Sequence, residues 1–387
     1  MRQLLRLFPG LALLLAGCCY YTPVRKAVLA QGTPPGVPLV RVRLSTGDPV
    51  RISGSAGLDV TLNSSLHALG PNETVIIRAG FVALPGRPEQ GLQDTFSCKP
   101  RTNGRIRIGD REYRGSALAF VASTGELVVV NVLPIEEYLY GVVPCEISAV
   151  DQTIAEAVKA QAVVARSFTL ARIARRRYQG HDVWDTYLRD QEYQGAGKET
   201  ELARQAVLAT RGQVLVYHGN VAEALYHANC GGRTSNGFQP FLRSVLDAPG
   251  RGQKAYCADG PSHSWEVKLG RDSFEAAVSR AAGISRVRIR SITSDRDPES
   301  NRVRYLRFAT DKGEVKLTGA DFRTALGLKS QNIELRLDRT AVTISGRGHG
   351  HGFGMCQDGA VGMARAGATF RQILMHYYSE VELRQLY

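Results

Sequence analysis

The run Ala157-Val-Lys-Ala-Gln-Ala-Val-Val-Ala-Arg166 leaves this chain the least choice of structure. Alanine is the strongest helix former, and Ile154, Ala157, Val158, Ala162, Ala165, Phe168 and Leu170 recur at roughly helical spacing behind Ser148 or Asp151 as N-cap. Arg175-Arg-Arg177 suits the end of such a helix, just before Gln179-Gly180. The small side chains permit close packing against a sheet, and the preceding sequence supplies one. Leu39-Val-Arg-Val-Arg-Leu44, Val75-Ile-Ile-Arg-Ala-Gly-Phe81, Gly104-Arg-Ile-Arg-Ile108 and Leu127-Val-Val-Val-Asn131 alternate with period two between Gly and Asn-Gly punctuation, so the segment up to Pro134 reads as all β. Later text predicts a helix over 198–210, strands over 214–217 and 222–226, and a loop over 230–260. Strands then alternate with short helices over 265–346, near 273–282 and 319–326, and the last helices fall near 359–367 and 370–378. The class is α+β, sheet-rich, with one prominent Ala-rich helix.

Between sheet and helix lies Asn131-Val-Leu-Pro-Ile-Glu-Glu-Tyr-Leu-Tyr-Gly-Val-Val-Pro-Cys-Glu146, an apolar, strand-like run that ends on a single carboxylate. An acid held among apolar neighbours at an element boundary suits general acid chemistry on a neutral substrate. A carboxylate that only favours a helix N-terminus fits the same pattern.

The formal charge is +13, with 49 Lys and Arg against 36 Asp and Glu, which favours an anionic partner. No zinc-finger spacing, recognition-helix pattern or RNP-type aromatic strand accompanies it, so nucleic acid has only the pI behind it. Anionic lipid or an acidic cell-wall polymer fits as well. Arg2 and Arg6 precede the short apolar run Leu11-Ala-Leu-Leu-Leu-Ala-Gly-Cys18, which reads as a signal peptide over residues 1–17. Leu15-Ala-Gly-Cys18 looks like a bacterial lipobox, with Cys18 as the lipidated residue. The alternative is an ordinary signal peptide with incidental cysteines. Residues 18–37, with Thr22-Pro23 and Gly32-Thr-Pro-Pro-Gly36, read as a tether. The body is thus expected outside the cytoplasm as a membrane-tethered lipoprotein of the cell envelope, facing the periplasm in a diderm.

An oxidising compartment permits disulfides, and Cys230 with Cys257 is the first pair to bridge among Cys98, Cys145, Cys230, Cys257 and Cys356. His227 and Cys230 form an H-x-x-C pair that, with Cys257 and His263 downstream, suggests zinc, although a second tight pair is missing. Neither Cys145 nor Cys356 has the partner pattern of a cysteine hydrolase. In Gly346-Arg-Gly-His-Gly-His-Gly-Phe-Gly-Met-Cys-Gln-Asp-Gly-Ala360, alternate glycines let the backbone approach a ligand, and extended chain would turn His349 and His351 to one face. Metal ligation, tight packing and a substrate-lining strand all fit, whereas a phosphate cradle does not. Asn131, Lys159 and Arg166 are solvated or capping residues by default, and Lys159, Arg166 and Gln161 become substrate contacts if their helix borders a cleft.

Taken in order, these segments resemble the SpoIID/LytB family of cell-wall proteins. The resemblance rests on Tyr113-Arg-Gly115, the 131–146 run, Lys159-Ala-Gln-Ala-Val-Val-Ala-Arg166, Cys230-Gly-Gly-Arg-Thr234, Leu317-Thr-Gly-Ala-Asp-Phe-Arg323 with Leu326-Gly-Leu328, Gly348 to Ala360, and Ile373-Leu-Met-His-Tyr-Tyr378. It implies a SpoIID-like catalytic domain over residues 105–387 behind a β-rich part over residues 38–104. It also implies lytic transglycosylase action on peptidoglycan between N-acetylmuramic acid and N-acetylglucosamine, preferring strands stripped of peptide stems. Glu146 takes the place of the family's catalytic acid. The Lys159–Arg166 helix face (Lys159, Gln161, Arg166) and His349, His351, Met355 and Gln357 are then expected to bind glycan, with no resident cofactor. This chain has His349 where an aromatic residue is common, Cys356 for a serine and Cys145 for a small residue. The LytB branch offers a second reading, a non-catalytic enhancer of a cell-wall amidase; a zinc-dependent hydrolase is a third. An acid role requires Val143, Pro144 and Ile147 to desolvate Glu146 against the helix N-terminus expected behind it. Glu136 and Glu137 stand as candidates for a second carboxylate.

Overall fold

A computed structural model describes residues 36–102, 104–176 and 180–387. The signal peptide, Cys18 and nearly all of the tether lie outside them, as does Arg177 at the expected helix end. Among the described residues no helix is long and apolar enough to cross a membrane.

Leu127–Pro134 is an interior strand of a seven-stranded sheet, antiparallel to Leu39–Leu44 on one side and to Ser116–Val121 on the other. Strand alternation makes the layer: Val40, Val42 and Leu44 are buried, while Arg41 and Arg43 between them face outward. A second, six-stranded sheet spans residues 50–113. Strands from both sides of residue 104 share each sheet, and one apolar core runs from Ile52 and Val60 through Ala117 and Val129 to Tyr377.

Strand Leu127–Pro134 leads straight into a helix, Ile135–Glu146, where the sequence suggested more strand. Gly141, Pro144 and the β-branched residues disfavour a helix locally. Burial overrides them, because Ile135, Tyr138, Leu139, Val142 and Val143 fall on one face and are all enclosed. Gly141 is needed for this packing, since a Cβ there would stand 2.7 Å from the Tyr193 ring and 2.9 Å from the Gly195 carbonyl.

The Ala-rich helix follows as Ala155–Arg176, behind a 3₁₀ turn whose N-cap, Asp151, accepts from the Thr153 amide. Its small residues are enclosed by helices Ile135–Glu146, Glu201–Ala209, Gln357–Arg365 and Phe370–Tyr377 as well as by strand Gln213–Tyr217. The alanines therefore serve helix–helix approach as much as contact with a sheet. The expected strand at 222–226 shrinks to Asn220–Val221 and Tyr226–His227.

Residues 264–347 build a second core around Phe274, Phe308, Phe322 and Ile344, enclosed by two three-stranded sheets and helices Arg271–Ala281 and Gly319–Leu326. The fold is α+β and sheet-rich.

Candidate active site

Glu146 is the last residue of helix Ile135–Glu146, with extended Ile147 as its C-cap. The negative end of the helix dipole therefore meets the carboxyl group, the reverse of the arrangement expected from the sequence, and favours its neutral form. The side chain is partly buried at a cleft of about 530 Å³. That volume lies within the ~300–1,000 Å³ usual for ligand pockets. Burial raises the Glu146 pKa, opposed by hydrogen bonds from the Glu192 amide and from the Tyr226 and Gln357 side chains. The Glu192 amide donates to Oε1 at 2.8 Å.

Tyr226 and Gln357 come from distant segments joined by a short parallel pair, Tyr226 opposite Met355 and His227 opposite Cys356. Gly354 makes this possible: its φ is +65°, and a Cβ there would lie 2.0 Å from the Leu225 carbonyl. The pair ends at helix Gln357–Arg365, whose N-cap Cys356 accepts the Gly359 amide at 3.3 Å, so Gln357 starts a helix at the cleft wall. Behind Tyr226, Gln191 donates to its hydroxyl at 3.0 Å and accepts from Thr169 at 2.7 Å and from Tyr138 at 3.3 Å. Ala255, Tyr256, Gly260 and Pro261 also line the cleft. One neutral-leaning carboxyl group with oriented donors in an open cleft can give a proton to a bound oxygen and take one back.

The sequence model of the SpoIID family, stage II sporulation protein, matches residues 123–217, from strand Leu127–Pro134 through the acid and the Ala-rich helix. An uncharacterized protein of Brachyspira hyodysenteriae is 32% identical over 292 residues, covering 73% of this chain and 75% of that protein. The chain belongs to the SpoIID family. Stage II sporulation protein D of Bacillus subtilis is 29% identical over 325 residues, 78% of this chain and 87% of that protein. The amidase enhancer of the same organism is 28% identical over 287 residues, 62% of this chain but 39% of its own length.

In this SpoIID protein the expected glycan contacts separate. Gln357 lines the cleft, and its amide reaches the fully buried Gln161 at 3.4 Å. Arg166 cannot touch a substrate there, because it is wholly enclosed and grips Glu136 through two hydrogen bonds of 3.0 and 2.7 Å. Lys159 is turned from the cleft to Glu156, 2.6 Å away. His349 is exposed in a bridge with Asn229, while His351 stacks on Phe353 at 5.2 Å and neighbours His227 at 5.5 Å, so the two histidines do not share a face. Burial lowers the pKa of both His227 and His351, the latter to about 4, which keeps both rings neutral. Met355 is fully enclosed. Glu136 and Glu137 sit in the first turn of the acid helix, about 15 Å along its axis from Glu146, too far to act with it.

Cys230 and Cys257 are free thiols with sulfurs 3.5 Å apart, not a disulfide. The zinc set suggested by the sequence also changes. The Nδ1 of His227 faces the Phe353 carbonyl at 3.0 Å, while Cys356 and Asp247 join the two cysteines. Tyr226, Gln191 and Glu192 were missed, because no local spacing ties them to Glu146. The one available signal was their polar or phenolic character inside otherwise buried text.

Proposed function

We propose that this protein is a peptidoglycan lytic transglycosylase, cutting the bond between N-acetylmuramic acid and N-acetylglucosamine with Glu146 as acid and then base. The observation that carries this reading is the raised pKa of Glu146 at the C-terminal end of its helix, inside an open cleft. Neutral Glu146 protonates the bridging oxygen as the anomeric C–O bond breaks, and its carboxylate then accepts the proton of the muramyl 6-hydroxyl as that oxygen closes on the anomeric carbon. The product is a 1,6-anhydro end, and no water is consumed. Inverting and retaining hydrolases need a second carboxylate at a set separation, and this reaction does not. Tyr226 and Gln357 hold the carboxylate formed midway and are in place before it forms. Membership of the SpoIID family and the lipobox ending at Cys18 support an envelope setting, with the protein held to a membrane by lipid.

Purified glycan strands incubated with wild type and Glu146→Gln test this reading. Anhydro-muramyl ends from wild type, reduced about 10²–10⁴-fold in the variant, are expected. Strand binding without product from either protein would instead favour a binding partner of a cell-wall amidase.

A further inference from the structure

Beside the cleft but outside the acid's hydrogen-bond network, Cys230, Asp247, Cys257 and Cys356 bring three sulfurs and a carboxylate oxygen within 4.8 Å of one another, all four residues buried. Cys230 Sγ lies 3.5 Å from Cys257 Sγ and 3.2 Å from Asp247 Oδ2. Tetrahedral zinc with Zn–S bonds of about 2.3 Å holds neighbouring sulfurs about 3.7 Å apart, so these edges need only small adjustment.

The surroundings are those of a thiolate centre. Cys356 Sγ accepts two backbone amides, from Cys230 at 3.2 Å and Gly359 at 3.3 Å, and stands at the N-terminal end of helix Gln357–Arg365. Both features favour a sulfur anion. Asp247 is oriented from behind, with the Tyr377 hydroxyl donating to Oδ1 at 2.5 Å, which leaves Oδ2 facing the sulfurs. Three thiolates and a carboxylate enclosed together need a divalent cation to offset their charge. Arg302, nine-tenths buried, donates to the Cys230 carbonyl at 3.1 Å and supplies positive charge nearby.

We infer that Cys230, Cys257, Cys356 and Asp247 form a structural zinc site. Soft thiolates select zinc over hard cations, and four protein ligands leave no open position for catalysis. On binding, Zn²⁺ replaces the thiol protons, which pass to solvent; nothing is oxidised. The ion ties together the loop after Ala228, the turn Tyr256–Asp259 and the start of helix Gln357–Arg365, and residues Ala228, Tyr256 and Gln357 of those segments all line the cleft. The site does not depend on the glycan reading, because its ligands are distinct from Glu146 and its partners.

Elemental analysis of the full chain, purified without chelator, should find about one zinc per molecule. Cys356→Ser and Asp247→Asn should lose most of it, whereas Cys98→Ser, whose cysteine lies in the seven-stranded sheet, should keep it. Cobalt added to metal-stripped wild type should give the thiolate-to-metal and d–d absorption bands of a tetrahedral sulfur site, a readout that stands even if a variant fails to fold. Absence of both zinc and cobalt bands, with peptide mapping of a Cys230–Cys257 disulfide, would overturn the inference. So would full metal retention in both ligand variants.

Discussion

Replacing Arg166 with methionine separates a structural role from a substrate contact. The guanidinium is completely enclosed and makes four hydrogen bonds: two to Glu136, one to the Gln213 carbonyl at 3.1 Å and one to the Val207 carbonyl at 3.3 Å. Arg166→Met leaves Glu136 buried with two donors, the Gly212 amide at 3.1 Å and the Tyr387 hydroxyl at 2.7 Å. Breaking a buried ion pair from one side costs about 3–5 kcal/mol, and the surviving donors place this case near the lower end, at about 3 kcal/mol. The two abandoned carbonyls add roughly 1 kcal/mol. The total expected in urea unfolding is therefore about 3–4 kcal/mol. Glu136→Leu with Arg166→Met should recover at least about 2 kcal/mol of that, since the double replacement leaves no isolated charge. Below its unfolding transition, folded Arg166→Met should keep its KM for glycan strands within about twofold of wild type. A stability loss under about 1 kcal/mol, or a raised KM in a protein of unchanged stability, would refute this and put Arg166 at the substrate.

Three further outcomes follow from the acid, its partner Tyr226 and its helix. Because the Glu146 pKa is raised in the fold, its neutral form persists above the range of an ordinary carboxyl group. The associated stability is present at low pH and is lost as pH rises through the folded value, and kcat/KM should fall along the same limb. Tyr226→Phe removes a donor that favours the carboxylate and should move that limb to higher pH; a downward move in the pH–rate profile would contradict the assigned hydrogen bond. Gly141→Ala would gain up to ~1 kcal/mol of helix propensity but overpacks against Tyr193 and Gly195, for a net loss of roughly 1–2 kcal/mol in denaturant melts. A stabilised variant would show that this helix has room to move.

Short-range pattern carried most of the architecture. Alternation in Leu39–Leu44 and the stripe behind Asp151 each became the expected element, and Glu146 stood out by its position at the end of an apolar run. The helix bearing Glu146 was misread because Gly141, Pro144 and the valines argued locally for strand. The spacing of Ile135, Tyr138, Leu139, Val142 and Val143 was nevertheless visible and proved decisive. Arg166 shows a different failure. A charge in an alanine-rich helix suggests solvent or ligand, and its true partner lies 30 residues earlier on another helix. Pairings of that kind, like that of Tyr226 with its distant strand partner Met355, depend on topology that no local window contains.

The second core has a topological consequence. The chain leaves the first body at Ser264 and re-enters it at Arg347, and these two residues face each other as partners in one antiparallel ladder. Everything between them is an insertion whose two ends already touch, so a tight turn would bridge its removal without stretching either neighbour. Descent with a longer, shorter or exchanged insert is therefore geometrically cheap. The insert reaches back to the first body where Arg302 donates to the Cys230 and Gly350 carbonyls, Trp265 donates to the Gly348 carbonyl, the Lys329 carbonyl accepts the Gly350 amide and Glu299 accepts from Asn236. A lineage that trimmed the insert would have to replace those contacts, while the acid, its helix and the alanine-rich support could remain where they are.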